Sequence, residues 1–92
     1  MIRSFRSKAL KRFAESGDAS KLSVQNIDRV SRILRALLDA KKPEQLNIPS
    51  FRFHVLKGAE KGRFSVWVND NYRITFSWSG EEAIEVDLED YH

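Results

Sequence analysis

The chain has 92 residues, 41% of them hydrophobic, and no cysteine. That length supports one domain (1–92) with a modest core, and the missing cysteines exclude disulfides, thiolate catalysis and Cys-based zinc sites. The formal charge of +3 is unevenly spread: residues 1–50 carry 11 Lys/Arg against 5 Asp/Glu, whereas residues 51–92 carry 5 against 8.

No apolar run approaches the roughly 20 residues of a membrane helix. The opening MIRSFRSKAL is basic but lacks the apolar stretch of a secretory leader. A cytoplasmic protein without a membrane partner is expected. A basic N-terminal half favours a polyanion such as nucleic acid, although solvated helix faces account for the same charges.

Ile2–Phe5 reads as a short edge strand. Ser7 is placed to cap a helix to about Ser16, with Leu10 and Phe13 inward and Gly17-Asp18 ending it. Ser23 is placed to cap a longer helix to about Ala40. There Val24, Ile27, Val30, Leu34, Leu37 and Leu38 follow helical spacing, while Arg29, Arg32 and Arg35 step along another side. Pro43 stops its continuation.

From Phe51 the apolar period changes to two. Phe51, Phe53 and Val55 share one strand face, and Arg52, His54 and Leu56 the other. In the next strand Phe64, Val66 and Val68 oppose Arg63, Ser65 and Trp67. Asp70-Asn71 is a two-residue hairpin signal. The third strand sets Tyr72, Ile74, Phe76 and Trp78 inward against Arg73, Thr75 and Ser77. Ser79-Gly80 is a second turn, and Ile84, Val86 and Leu88 face inward in the last strand. Helices first and strands after define an α+β fold, two N-terminal helices on one face of a small antiparallel sheet. The other face, left wet, gathers Arg52, His54, Arg63 and Arg73 into a candidate anion site.

The chemistry-bearing residues are few. His54 lies on the wet face, Lys57 follows at the strand end before Gly58, and the chain closes Asp90-Tyr91-His92. No HxH, HExxH or DxD spacing suggests a metal site, no Gly-rich loop suggests nucleotide phosphate binding, and no Gly-x-Ser-x-Gly elbow suggests acyl transfer. No cofactor is expected. The remaining set suits cleavage of RNA by its own 2′-hydroxyl. A base takes that proton, cations stabilise the crowded phosphorane, and an acid protonates the departing 5′-oxygen. Histidine, with an ordinary pKa near 6.5, serves either way at neutral pH. In this reading Asp90 or His92 is the base, His54 or the other terminal residue is the acid, and Arg73 and Lys57 are the electrostatic clamp.

The order His54-Val-Leu-Lys57-Gly58, then Trp67-Val68, Tyr72-Arg73-Ile74 with Phe76, and terminal Asp90-Tyr91-His92, resembles the HigB group of the RelE/ParE toxin superfamily, also called the plasmid maintenance killer family. The opening Met1-Ile-Arg-Ser-Phe5 fits as well, so the resemblance spans essentially the whole chain. It implies a RelE-like, microbial-RNase-like fold and a type II toxin that cleaves mRNA on the 70S ribosome and thereby inhibits translation and growth. It implies neutralisation by a HigA antitoxin with a helix-turn-helix fold, and contact with operator DNA only through that antitoxin. By the same resemblance His54, Asp90, Tyr91 and His92 line the active site, and Lys57 and Arg73 bind the scissile phosphate. Arg52 and Arg63 join them as expected RNA contacts.

Two other readings share these features. A ParE-like toxin inhibits DNA gyrase without catalysis on the same fold, but has no need of His54, Lys57, Arg73 and His92 together. A plain nucleic-acid-binding module would display stacked aromatics; here most aromatics read as core, with Trp67 the exception. The stripe Arg29, Arg32 and Arg35 suits ribosomal RNA backbone, an acidic antitoxin surface, or simply water.

Overall fold

A computed structural model describes residues 1–90 of the chain. Helix α1 (Lys8–Ser16) starts where the sequence signals it: the Ser7 hydroxyl accepts the Leu10 N–H at 3.1 Å, and Gly17 ends the helix in the left-handed conformation. Helix α2 (Ile27–Asp39) begins later than Ser23. Its flanking residue Asn26 does not cap it; the Asn26 side chain instead accepts a hydrogen bond from the Asn69 amide at 3.0 Å. The buried stripe of α2 is Val30, Ile33, Leu34 and Leu37, and Leu38 stays 48% exposed.

Four strands follow, β1 (His54–Val55), β2 (Phe64–Trp67), β3 (Tyr72–Ser79) and β4 (Glu82–Asp90), with short 3-10 turns at Pro43–Leu46, Pro49–Phe51 and Gly58–Glu60. They form an antiparallel meander in the order β1-β2-β3-β4. The architecture is the α+β fold expected. The segment Ile2–Phe5 runs parallel to β4 as two separate bridges, Ile2 to Ala83 and Phe5 to Val86.

One face of the sheet sends Val66, Ile74, Phe76, Ala83 and Val86 into a core shared with Leu10, Val30, Ile33 and Leu37 of the helices. Phe53, Phe64, Phe76 and Trp78 form a row of aromatic contacts within it, with ring centroids 5.7–6.1 Å apart. Period-two alternation therefore commits their neighbours to the opposite face.

Three local expectations are corrected. β1 is only two residues long, because Arg52 adopts a left-handed φ of 48° and Phe51 belongs to a 3-10 turn. Neither Asp70 nor Asn71 has positive φ. The Asn69 carboxamide oxygen makes that turn instead, accepting the N–H groups of Asn71 and Tyr72 at 2.9 Å. Where β4 pairs with β3 the register shifts between Thr75 and Ser77 of β3, and Glu85 in β4 sits at φ 50°. This bulge turns Ala83 and Val86 inward, leaving Ile84 only partly buried.

The bulge is pinned from both sides. Glu85 N–H donates to the Ser4 hydroxyl at 2.8 Å, and its carbonyl accepts from Arg63 at 2.9 Å. Since a left-handed conformation is hardest for β-branched residues, Glu85→Val should lower unfolding free energy by about 1–2 kcal/mol. Glu85→Gly should stay within about 1 kcal/mol of wild type, strain relief offsetting backbone entropy. Urea denaturation of the two variants checks this; equal losses would show that the bulge is not strained.

Candidate active site

The cationic face is built in two rows. His54 in β1 pairs with Ser65 in β2, which pairs with Thr75 in β3; Trp67 in β2 pairs with Arg73 in β3, which pairs with Glu89 in β4. Adjacent strands lie about 4.8 Å apart, so side chains from β1, β2 and β3 reach a common space. They line a concave pocket of about 380 Å³ with Arg52, Val55, Leu56 and Lys57.

His54, Lys57, Arg73 and Arg52 thus meet on one side of the sheet. Lys57 gets there because the chain leaves β1 and turns through Gly58–Glu60, Gly58 taking a left-handed φ of 67°. Arg52 gets there through its own left-handed backbone. Two arginines, a lysine and a histidine line the pocket, and among the described residues no carboxylate does. In a concavity walled partly by Val55, Leu56 and Trp67, such charges attract an anion more strongly than on a flat surface.

Arg63 is corrected. It shares the face but lies outside the pocket, only 5% exposed. Its guanidinium donates to the Thr75 hydroxyl at 2.8 Å, the Ser77 hydroxyl at 3.1 Å and the Glu85 carbonyl at 2.9 Å, and Glu60 stands 3.6 Å away. Burial, reinforced by nearby Arg6, pulls its pKa below the usual arginine value, while Glu89, Glu60 and Glu85 act the other way. Arg63 is a structural clamp under the sheet, not a group presented to substrate.

Asp90 ends β4 opposite Tyr72 and is not among the pocket-lining residues. Tyr91 and His92 lie outside the described residues. The carboxylate that does stand beside the site is Glu89, which sequence reasoning passed over. Its Oε1 is 3.4 Å from Arg73 Nη2, and its other oxygen accepts the Thr75 hydroxyl. Alternation from Val86 and Leu88 puts Glu89 on this face, a signal that was available in the sequence. Glu89 steadies Arg73 from the side away from β2, fixing the direction in which the guanidinium presents itself.

Trp67 is a second residue given no role in the site. Guanidiniums of Arg52 and Arg29 lie over its ring, 4.4 and 5.1 Å from the centroid. Arg29 also donates to the Ser50 carbonyl at 2.8 Å, so it leaves the solvated stripe that Arg32 and Arg35 continue.

An α+β meander carrying a cationic, histidine-bearing pocket on the face turned away from its helices is the arrangement of a RelE-like toxin. Residues 3–92 match the family model described as the RelE-like toxin of the type II toxin-antitoxin system HigB, and the chain belongs to that family. It is the toxin of a two-component pair, with an antitoxin as its protein partner. Among proteins it resembles, Endoribonuclease HigB of Proteus vulgaris is 38% identical over 92 residues, covering 100% of both chains. Among the described residues no helix is long and apolar enough to cross a membrane.

The division between Arg63 and Arg52 is testable by stability. Arg63→Ala leaves buried acceptors unmatched and should cost roughly 2–4 kcal/mol of unfolding free energy. Arg52→Ala, losing only a ring contact at an exposed site, should cost less than about 1 kcal/mol. Denaturant melts of both variants measure the contrast, and the reverse order would contradict the assignment.

Proposed function

We propose that this chain is a metal-independent endoribonuclease that cleaves mRNA by attack of a 2′-hydroxyl on the adjacent phosphate. The single observation that supports this most is the convergence of His54, Lys57 and Arg73, from β1, the turn after it and β3, on one pocket. The Proteus vulgaris relative, named an endoribonuclease, agrees with it.

In this mechanism Arg73 and Lys57 bind the non-bridging oxygens of the scissile phosphate and stabilise the charge that builds on the phosphorane. The 2′-oxygen forms a bond to phosphorus, and its proton passes to the base. The bond from phosphorus to the 5′-oxygen breaks, and the acid protonates that oxygen. A 2′,3′-cyclic phosphate and a 5′-hydroxyl result. His54 is one of the two proton-transfer groups; the chain end, Asp90-Tyr91-His92, supplies the other. The substrate is mRNA on the 70S ribosome in a cytoplasmic setting. The partner is a HigA-type helix-turn-helix antitoxin, which alone contacts operator DNA.

Translation reactions with a defined end-labelled mRNA test the proposal. Wild type should give fragments ending in a 2′,3′-cyclic or 3′-phosphate, and none ending in a 3′-hydroxyl. Arg73→Ala and Lys57→Ala should each slow cleavage by about 30- to 1000-fold, corresponding to roughly 2–4 kcal/mol of barrier. Intact mRNA with wild type, accompanied by stalled supercoiling, would reject the ribonuclease in favour of a gyrase inhibitor. Fragments ending in a 3′-hydroxyl would reject attack by the 2′-hydroxyl.

A further inference from the structure

Among the described residues, Trp67 is the only Trp, Tyr or Phe ring lining the cationic pocket. Its strand partner across β2 and β3 is Arg73. Partners on neighbouring strands set their side chains about 5 Å apart, so the indole stands one nucleotide's reach from a phosphate held by Arg73. The aromatics Phe53, Phe64, Phe76 and Trp78, by contrast, are occupied with one another in the core.

The indole face already receives flat cations. Arg52 lies over the ring with its guanidinium carbon 4.4 Å from the centroid. A planar guanidinium and a nucleobase use an aromatic face in the same way, by stacking a delocalised plane against the ring. The two arginines on Trp67 differ in how firmly they are held. Arg29 is half-buried on α2 and tied to the Ser50 carbonyl. Arg52 is exposed, and its guanidinium makes no hydrogen bond or ion pair among the described residues. Arg52 is therefore the group that can leave the ring, and a phosphate backbone entering the pocket gives it a place to go.

We infer that Trp67 is the stacking platform for one nucleobase of the RNA, the base beside the phosphate held by Arg73, and that Arg52 occupies that base's place until RNA enters. The inference rests on the ribonuclease reading above and adds to it a base subsite. On binding, Arg52 exchanges the indole for a flanking phosphate, and the base takes the place on the ring that Arg52 leaves. Because every base has a π-face, this contact aligns the strand without by itself choosing a sequence.

The test is fluorescence anisotropy with a fluorescein-labelled RNA hexamer methylated at every 2′-oxygen, which removes the nucleophile. The hexamer is made in versions with a single abasic residue at each position. In wild type, one abasic position should weaken binding by about 10- to 100-fold, the range of a lost base–aromatic stack. Trp67→Leu should weaken binding of the intact hexamer similarly, and the same abasic residue should then cost less than about threefold. Trp67→Phe, which keeps a smaller ring and the fold, should lie between. If no abasic position costs wild type at least about fivefold, or if the Trp67→Leu loss adds in full to every abasic loss, the platform is refuted. Arg73→Ala, measured alongside, separates this from the parent reading. A tenfold or greater loss there with additive Trp67 data overturns the stacking alone. Unchanged binding by Arg73→Ala overturns the RNA pocket and the platform with it.

Discussion

Burial of Val66, Ile74 and Phe76 under the two helices fixes the direction of every other side chain in the sheet's centre. These residues are fully buried, and strand alternation allows no compromise: a slip of one residue would exchange the two faces completely. Ser65, Trp67, Arg73 and Thr75 are turned outward by the hydrophobic demand of their neighbours, and Glu89 then steadies Arg73 and Thr75 on that face. The pocket is thus a by-product of core packing in the strict sense. Arg73 is placed by this apolar alternation, whereas Lys57 and Arg52 arrive through the turn after β1 and a left-handed residue before it.

The outer face divides between two tasks. At one end Arg63 lies across Thr75 and Ser77 and reaches the Glu85 carbonyl, holding the bulge of β4. At the other end Arg52, Lys57 and Arg73 line the pocket with His54. Identical side-chain chemistry serves structure in one place and anion attraction in the other, and the difference is set by local acceptors. Hydroxyls and a bulge carbonyl engage both terminal nitrogens of Arg63, whereas among the described residues no carboxylate lines the pocket. Glu89 stands between these regions, joined to both Arg73 and Thr75, so the clamp and the pocket share one hydrogen-bonded edge.

Much of this was legible in the residues. The Ser7 cap, the change of apolar period at Phe51 and the outward placement of His54 and Arg73 followed from short-range rules that the structure obeys. Arg63 could not be separated from Arg73 that way, because alternation gives them the same face. Its burial depends on Ser77 and on a carbonyl 22 residues away, brought close by a bulge with no strong local signal. The hairpin after β2 misled for a related reason: Asn69 satisfies the turn with its side chain, making positive φ unnecessary at Asp70 and Asn71. Glu89 was readable, but an acidic run near a chain end looks like solvated tail until its pairing with Arg73 is seen.

The central claim is that one pocket, rather than the basic helix surface, recognises the RNA phosphate. An NMR titration of isotopically labelled protein with a nucleoside 3′-monophosphate addresses it directly. Side-chain signals of His54, Lys57 and Arg73 should move together along one binding curve, with Arg32 and Arg35 on α2 unmoved. Shifts confined to Arg32 and Arg35, with the imidazole of His54 silent, would contradict the account.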